Sequence, residues 1–258
     1  MKRVDKSFVV DIDNVELYVG KIAEWIKGYV QKAGMKGVVL GMSGGVDCST
    51  VARLCQMAGV DTHLVMMPYG DDMSNTKSSA HSMELIEKFG FSYHIYDIKP
   101  AVDALTVTKA PFSEIIDVDI DLSRANIRPR VRMTYLYQLA QMGRRFVAGT
   151  GNLAEKTVGY FTKWGDGAND FNPLAMMTKQ EVYVLARYLG VPDCIINKKP
   201  SAGLWEGQTD EEELGMTYAQ IDSFILNGSS GSKDVDSRIE RRIQMSAHKF
   251  ADIPIFEG

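Results

Sequence analysis

The sequence predicts an α/β fold in which a doubly wound, mainly parallel sheet is flanked by helices. Short apolar runs alternate along the chain with segments whose apolar residues recur at helical spacing. The apolar runs lack the in-out alternation of a half-exposed strand, which is typical of parallel strands buried on both faces. Two of them end in glycine-rich turns, at 41–45 and 149–152. Because ligands bind beyond the carboxyl ends of such strands, we expect both turns to face one crevice.

The elements follow in a regular order through the first 150 residues. Apolar residues from Val15 to Val30 predict an amphipathic helix over 14–33, and the run GVVLGM at 37–42 predicts a buried strand. Helices are then predicted at 46–57, 77–89 and 121–142, and further strands at 63–67, 92–97 and 145–150. Pro129 must kink the third of these helices or start a new one, because proline removes a backbone donor.

The second part of the chain has a different texture. Residues 151–175 are rich in Gly, Asn, Asp and aromatics, which indicates a long loop of the kind that often carries function. A helix at 178–190 is indicated by a capping box of Thr178 with Glu181. Further along, the sequence predicts a loop at 197–214 and helices at 217–227 and 233–247. No repeat or linker interrupts the chain, so we expect a single domain over 1–258.

Composition restricts the possible functions. The net charge of −4 is unlike that of a dedicated nucleic-acid binder, so no nucleic-acid partner is expected. The three cysteines have no disulfide-framework spacing, and the four histidines lie far apart, which indicates a reduced protein without a structural zinc site. No signal peptide or apolar run of membrane-spanning length is present. We therefore expect a cytoplasmic protein with no membrane association.

The stretch GMSGGVDCST at 41–50 is the strongest candidate site. A glycine-rich turn between a strand and a helix presents backbone N–H groups and the helix dipole to an anion, which favours phosphate, and Ser43, Ser49 and Thr50 can add hydroxyl donors. The turn lacks the lysine of a P-loop. Asp47 would repel a phosphate unless Mg²⁺ lay between them, so the stretch predicts binding of a metal-complexed polyphosphate. Alternatively, Asp47 only caps the helix. The thiol of Cys48 is a candidate nucleophile.

The residues SGGVD resemble the signature SGGxDS of the N-type ATP pyrophosphatases. Blocks at 126–133, 149–155 and 159–170, the last reading GYFTKWGDGAND, are similar to those of the NAD synthetases and run in that family's order. The resemblance implies an adenine nucleotide alpha hydrolase-like fold. It also implies ATP-dependent amidation of deamido-NAD by ammonia through an acyl-adenylate, with release of AMP and pyrophosphate and without a protein nucleophile.

The resemblance also implies roles for individual residues. Asp47 and Glu155 match the family's Mg²⁺ ligands. The positions that match ATP contacts are Gly41, Met42, Ser43, Gly44, Gly45, Val46, Asp47, Cys48, Thr150, Lys179 and Ser201. Those that match deamido-NAD contacts are Arg130, Lys163, Asp170, His248 and Lys249.

The residue types by themselves leave other interpretations open for several of these positions. Glu155 could be an ordinary first-turn carboxylate, and Lys179 a solvated side chain. Arg130 lies among arginines that could form a solvated helix face, and His248 could be structural or merely exposed.

Two departures from the family pattern stand out. Cys48 occupies the position where the signature usually has serine, and we interpret it as a stand-in for serine, not as a nucleophile. Phe250 follows His248 and Lys249 where the family commonly has another basic residue, which affects the expected C-terminal contact with the dinucleotide.

The resemblance further implies a homodimer. The helix after Pro129 is a candidate interface because its apolar residues cover more than one stripe, a pattern that a helix buried inside one chain would also show. The synthetase blocks occupy about 40–250 and leave no room for a glutaminase domain, so free ammonia is the expected nitrogen source. A separate glutaminase partner stays open.

Other functions remain as alternatives. The chain could be another ATP-pyrophosphatase enzyme, such as a GMP-synthetase-like amidase or a tRNA thiolase. A thiolase would need two sulfur-carrying cysteines and a basic surface for RNA. The net charge of −4 does not favour such a surface. A catalytically dead nucleotide-binding regulator would be expected to lose its metal carboxylates, yet Asp47 and Glu155 are both present.

Overall fold

A computed structural model of the chain describes residues 7–70, 77–107, 120–200 and 209–256. In this part of the chain four parallel strands form one sheet in the order β3-β2-β1-β4. The strands are β1 (Gly37–Met42), β2 (Thr62–Met66), β3 (Ser92–Ile95) and β4 (Arg145–Val147). The chain builds outward from β1 in one direction and then returns to its other side, so the strand order reverses between β1 and β4. This reversal is the point where open α/β sheets bind ligands.

Helices cover both faces of the sheet, which confirms the predicted doubly wound fold. They are α1 (Val15–Lys32), α2 (Val46–Met57), α3 (Lys77–Phe89), α4 (Lys99–Leu105), α5 (Ile120–Ala125), α6 (Ile127–Gly143), α7 (Leu153–Val158), α8 (Lys179–Tyr188), α9 (Asp193–Ile196), α10 (Asp210–Leu214), α11 (Tyr218–Asn227) and α12 (Lys233–Ser246). A single 3₁₀ turn, Ala247–Lys249, follows α12.

The central strands are buried on both faces, as their unbroken apolar runs predict. Val38 and Leu40 of β1 belong to a core shared with α1, α2 and α8. Val39 of β1 and Val65 of β2 point the other way, into a second core that includes Val131 of α6. Side chains alternate across a strand, so a strand enclosed by two helical layers needs apolar residues at every position.

A third core lies between α7, which follows β4, and the C-terminal helices. It joins Leu153 and Val158 of α7 to Ile221 of α11 and Ile239 of α12. Because α7 begins a few residues after β4, this core determines where the polar residues of α7 stand relative to the sheet. None of the helices in the described ranges is long and apolar enough to cross a membrane.

The structure differs from the sequence-based expectations in three places. The predicted helix at 121–142 is two helices, α5 and α6, and Pro129 lies in the first turn of α6, where its missing N–H breaks no helical bond. The predicted loops at 151–175 and 197–214 contain α7 and α10. These helices have six and five residues, too few for an apolar period to become visible.

Candidate active site

The turn between β1 and α2 forms one wall of the site. Gly45 caps α2 in an extended conformation, and Ser43 is exposed beside it. The expectation that Ser49 and Thr50 offer hydroxyl donors to a ligand is wrong. Their hydroxyls are buried and donate to Gly45 O at 2.8 Å and Val46 O at 2.7 Å. Ser43 and the backbone N–H groups at the start of α2 are therefore the donors that this wall presents to an anion.

Two carboxylates and one ammonium group converge at this wall from three separate helices. Lys179 Nζ of α8 lies 2.6 Å from Asp47 Oδ2 of α2 and 3.6 Å from Glu155 Oε1 of α7. The Lys179 side chain is only 3% exposed, which rules out the solvated-lysine interpretation. A buried cation needs compensating anions, and here the two carboxylates predicted as metal ligands provide them.

The charged groups in this cluster shift one another's pKa values. Burial lowers the pKa of Lys179, but attraction to Asp47 and Glu155 outweighs it, so the pKa is raised overall. Burial raises the pKa of Glu155, and repulsion from Asp47 raises it further, against the attraction of Lys179. Asp47 and Glu155 thus lie near enough to repel each other, which is the condition under which a shared cation stabilises both.

The donor set fits Mg²⁺ bound jointly with a polyphosphate. Magnesium is usually held in proteins by one or two carboxylates, with phosphate oxygens and waters completing its shell. Asp47 and Glu155 supply two such carboxylates. In the residues that the structure describes, no three His, Cys, Asp or Glu side chains are grouped closely enough to hold an ion by themselves. A metal at Asp47 and Glu155 would therefore need ligands from its substrate.

Asn152 fixes the spacing of the two carboxylates, and the sequence did not single it out as a site residue. Its buried amide donates from Nδ2 to Asp47 Oδ1 at 2.9 Å. Its Oδ1 accepts from Glu155 N, while Glu155 Oε2 accepts from Asn152 N, which completes a capping box at the start of α7. The pattern N-x-x-E signals such a cap, but only the fold shows that the same amide reaches Asp47.

Residues of helix α11 contact both the backbone and the side chain of Lys179. Asp222 accepts from the backbone N–H groups of Lys179 and Gln180 at 3.1 and 2.9 Å, which anchors the first turn of α8. The ring of Tyr218 lies 4.8 Å from Lys179 Nζ, and its hydroxyl donates to Asp210 at 2.9 Å. Burial raises the pKa of Tyr218, so it stays a neutral hydrogen-bond donor.

The loop from Gly159 to Asp170 forms a second region beyond α7. Lys163 Nζ donates to His248 O at 2.7 Å, and Lys249 Nζ donates to Phe161 O at 2.6 Å. Phe250 packs edge-on against Phe161, with ring centroids 5.2 Å apart. The two lysines thus join the loop to the C-terminal turn, and the aromatic residue at position 250 adds an apolar contact to that junction.

Asp170 ends this loop and ties it to the sheet. Its carboxylate accepts from Val147 N at 2.7 Å and from the Tyr137 hydroxyl at 3.4 Å. The Tyr29 hydroxyl donates to the Asp170 carbonyl oxygen at 3.0 Å. Both side-chain contacts hold the loop against β4 and α6, so a ligand contact by Asp170 would be made by a carboxylate that is already positioned.

The arginines near the start of α6 have separate surroundings. Arg132 donates to Met67 O at 2.9 Å, and the guanidinium of Arg128 lies 3.9 Å from the centre of the Tyr69 ring. Arg130 is exposed, and within the described ranges its side chain has no ion-pair or hydrogen-bond partner. The expectation that Arg130 faces away from its neighbours agrees with this arrangement, which leaves its guanidinium available for an anion.

The comparison with known proteins decides the family. The family model described as NAD synthase matches residues 18–253. The chain belongs to the NAD synthase family. It is 41% identical to the NH(3)-dependent NAD(+) synthetase of Archaeoglobus fulgidus, over 92% of this chain and 94% of that relative. It is also 41% identical to the enzyme of that name from Pyrococcus furiosus, over 92% of both chains.

Two solved structures agree with this fold. The NMN synthetase of Francisella tularensis superposes with a TM-score of 0.85 at 37% identity, over 94% of this chain and 99% of that one. The NH3-dependent NAD synthetase of Campylobacter jejuni superposes with a TM-score of 0.75 at 27% identity, over 96% and 100% of the chains. Membership of the NAD synthase family does not favour the thiolase, GMP-synthetase-like or inactive-regulator alternatives.

The structure gathers most of the residues that the NAD synthase resemblance singled out. The first group contains the 41–48 turn, Glu155 and Lys179, and Thr150 follows the end of the neighbouring strand β4. The loop group contains Lys163, Asp170, His248 and Lys249. Arg130 adjoins it, because Pro129 of α6 and Asn126, which precedes α6, contact that loop. Ser201 lies outside the described residues. The contacts of these residues with ATP and deamido-NAD stay predictions.

Replacing Cys48 by serine should leave the enzyme active. Cys48 Sγ donates to Gly45 O at 3.2 Å and lies 3.3 Å from Ser43 Oγ, a place that a serine hydroxyl fills with the same donor pattern. We expect kcat/KM to stay within about threefold of the parent, because serine is the stronger hydrogen-bond donor of similar shape. Steady-state assays of Cys48→Ser and Cys48→Ala would check this. Loss of most activity in the serine variant would give the thiol a chemical role.

Proposed function

We infer that the chain converts deamido-NAD, ATP and ammonia into NAD, AMP and pyrophosphate. The observation that carries this inference is the convergence of Asp47, Glu155 and Lys179 on a glycine-rich turn, in a chain of the NAD synthase family. The turn offers a phosphate site, and the two carboxylates offer a site for the metal that accompanies ATP.

The reaction proceeds in two steps. A nicotinate carboxylate oxygen attacks the α-phosphorus of ATP, and the bond from that phosphorus to the bridging oxygen breaks, with the electron pair leaving on pyrophosphate. Ammonia then attacks the acyl carbon of the adenylate, loses a proton, and AMP departs. Neither step uses a protein nucleophile, so the chain acts by aligning the reactants and stabilising charge.

Each group of residues has a part in this scheme. The N–H groups at 43–46 and the start of α2 hold phosphate oxygens, as would Thr150, Lys179 and Ser201. Mg²⁺ held by Asp47 and Glu155 would neutralise the polyphosphate when bound. Arg130, Lys163, Asp170, His248 and Lys249 would hold deamido-NAD, where the cations suit its phosphates and its extra carboxylate.

An end-point assay tests the proposal directly. Purified protein is incubated with deamido-NAD, MgATP and ammonium, and NAD and AMP are quantified together. We expect equal amounts of both products, and no product when EDTA removes the metal. Parallel reactions replace ammonium by glutamine. Product from glutamine but not from ammonium would contradict the assigned nitrogen source.

Amidation of the mononucleotide is a second candidate function. The observation that favours it is the TM-score of 0.85 with a protein named as an NMN synthetase, at 37% identity. The same chemistry at the nicotinate carboxylate would turn nicotinate mononucleotide into NMN. Measuring kcat/KM for deamido-NAD and for nicotinate mononucleotide under identical conditions separates the two. A higher value for the mononucleotide would transfer the assignment to NMN synthesis.

We further propose that the protein is a cytoplasmic homodimer. All three cysteines are unpaired, which suits a reducing compartment. Helix α6 carries Tyr135, Leu136 and Leu139, which are only partly buried against the sheet and could extend an apolar surface toward a second copy. Sedimentation at assay concentration is expected to give about twice the 28.7 kDa chain mass. The mass of a single chain would contradict the dimer.

A further inference from the structure

Lys198 lies beside the glycine-rich turn and has no role in the scheme above. Its Nζ donates to Ser78 Oγ at 2.8 Å, in the first turn of α3. Ser78 also touches the glycine-rich turn, because a Cβ built on Gly44 would lie only 2.2 Å from the Ser78 carbonyl oxygen. One side chain and one tight backbone contact therefore connect Lys198 to the turn.

Among the residues that the structure describes, no carboxylate pairs with Lys198. Its side chain is half-buried, and no carboxylate in the described ranges lies within 4.0 Å of its Nζ. Burial lowers the pKa of Lys198, and Cys48 is the neighbouring group that opposes this effect. Lys179, by contrast, pairs with both Asp47 and Glu155. A partly desolvated ammonium without a counter-ion is stabilised when an anion binds next to it.

The charges near Asp47 and near Cys48 thus differ. Two carboxylates and one ammonium group lie together at Asp47, which suits phosphate oxygens that share a cation. Near Cys48, Lys198 has no carboxylate partner in the described ranges, which suits phosphate oxygens that bind the protein directly. When the α-phosphorus is attacked, negative charge accumulates on the departing pyrophosphate, and a cation already in place there stabilises that charge.

We propose that Lys198 binds the pyrophosphate part of ATP and stabilises pyrophosphate as it leaves. The proposal rests on the proposed function only in taking ATP as the nucleotide. Ser78 positions the ammonium group through its hydroxyl. Sequence reasoning could not single out Lys198, because it adjoins Lys199 and nothing in the pattern separates the two lysines.

The test compares Lys198→Met with Lys199→Met. Methionine keeps most of the stem of the side chain and removes the charge, and Lys199 is the exposed neighbour that serves as a matched control. Calorimetry measures the Kd of magnesium pyrophosphate, and steady-state assays measure KM for ATP and for the dinucleotide. We expect Lys198→Met to raise both the pyrophosphate Kd and the KM for ATP about tenfold or more, because a charge-assisted contact is lost. The KM for deamido-NAD and all constants of Lys199→Met should stay unchanged.

Further variants distinguish a role of the Lys198 charge from a purely structural role. Lys198→Arg keeps the charge and should restore part of the pyrophosphate affinity, which a purely structural role through Ser78 would not require. A pyrophosphate Kd that is the same in wild type and folded Lys198→Met would overturn the proposal. Thermal melting establishes that the variant is folded, and Lys198→Gln replaces it if methionine unfolds the protein. Because pyrophosphate binding is measured without turnover, this result is independent of whether wild type makes NAD.

Discussion

Replacing Asp47 by asparagine should reduce the rate of NAD formation by about a thousandfold or more, because the charge that we propose holds the metal beside the glycine-rich turn is lost. Asparagine has the same shape and keeps an oxygen for the Asn152 amide, which donates to Asp47 Oδ1 at 2.9 Å. After the change, Glu155, at 3.6 Å, is the carboxylate that still pairs with Lys179. Turnover is measured as NAD and AMP formed from deamido-NAD, MgATP and ammonium.

The fold of Asp47→Asn should survive. Truncating one partner of a buried ion pair costs about 3–5 kcal/mol when the remaining charge has no other partner. Lys179 retains Glu155 and the Tyr218 ring, so we expect a smaller loss of stability. Asp61→Asn is the matched control, since Asp61 also pairs with a basic side chain, Arg145, but on the surface. Retained turnover in Asp47→Asn would remove this carboxylate from the metal site.

Replacing Gly44 by alanine should destabilise the protein by about 3 kcal/mol or more and abolish activity. Gly44 has φ of +69°, a conformation that costs an L-residue about 1–2 kcal/mol. The added Cβ would also lie 2.2 Å from the Ser78 carbonyl oxygen, so backbone must move. Because Gly44 lies inside the glycine-rich turn, that movement would misplace the N–H groups that we propose hold phosphate. Urea unfolding and the NAD assay measure the two effects.

Gly59→Ala provides the matched control for this prediction. Gly59 follows the other end of α2 and has φ of +65°, and a Cβ added there would have no atom within 4 Å. The variant should lose only the conformational part of the stability, about 1 kcal/mol, and keep its activity. Equal losses in the two variants would mean that the close approach of Ser78 to the turn has no energetic consequence.

The fold was largely predictable because its long elements carry strong local signals. The buried runs at β1 and β2 and the helical spacing of α1, α8 and α11 predict these elements at nearly the observed residues. The short helices α7 and α10 escaped prediction, although Asn152 and Thr209 cap them. A helix of five or six residues buries its apolar side chains against partners that are distant in the sequence, so its stability comes from packing and leaves little pattern.

By itself the sequence determined the family, the parallel sheet, the glycine-rich turn, and Asp47 and Glu155 as the carboxylates to examine. Those conclusions depend on local patterns and on the resemblance of contiguous blocks. Only the tertiary structure decided which side chains meet. Lys179 reaches Asp47 across 132 residues and Asn152 reaches it across 105, while Lys198 arrives beside the same turn through Ser78, 120 residues away. The contact of Asn152 with Asp47 arises because β1 and β4 adjoin where the strand order reverses, and that adjacency is a property of the packed sheet.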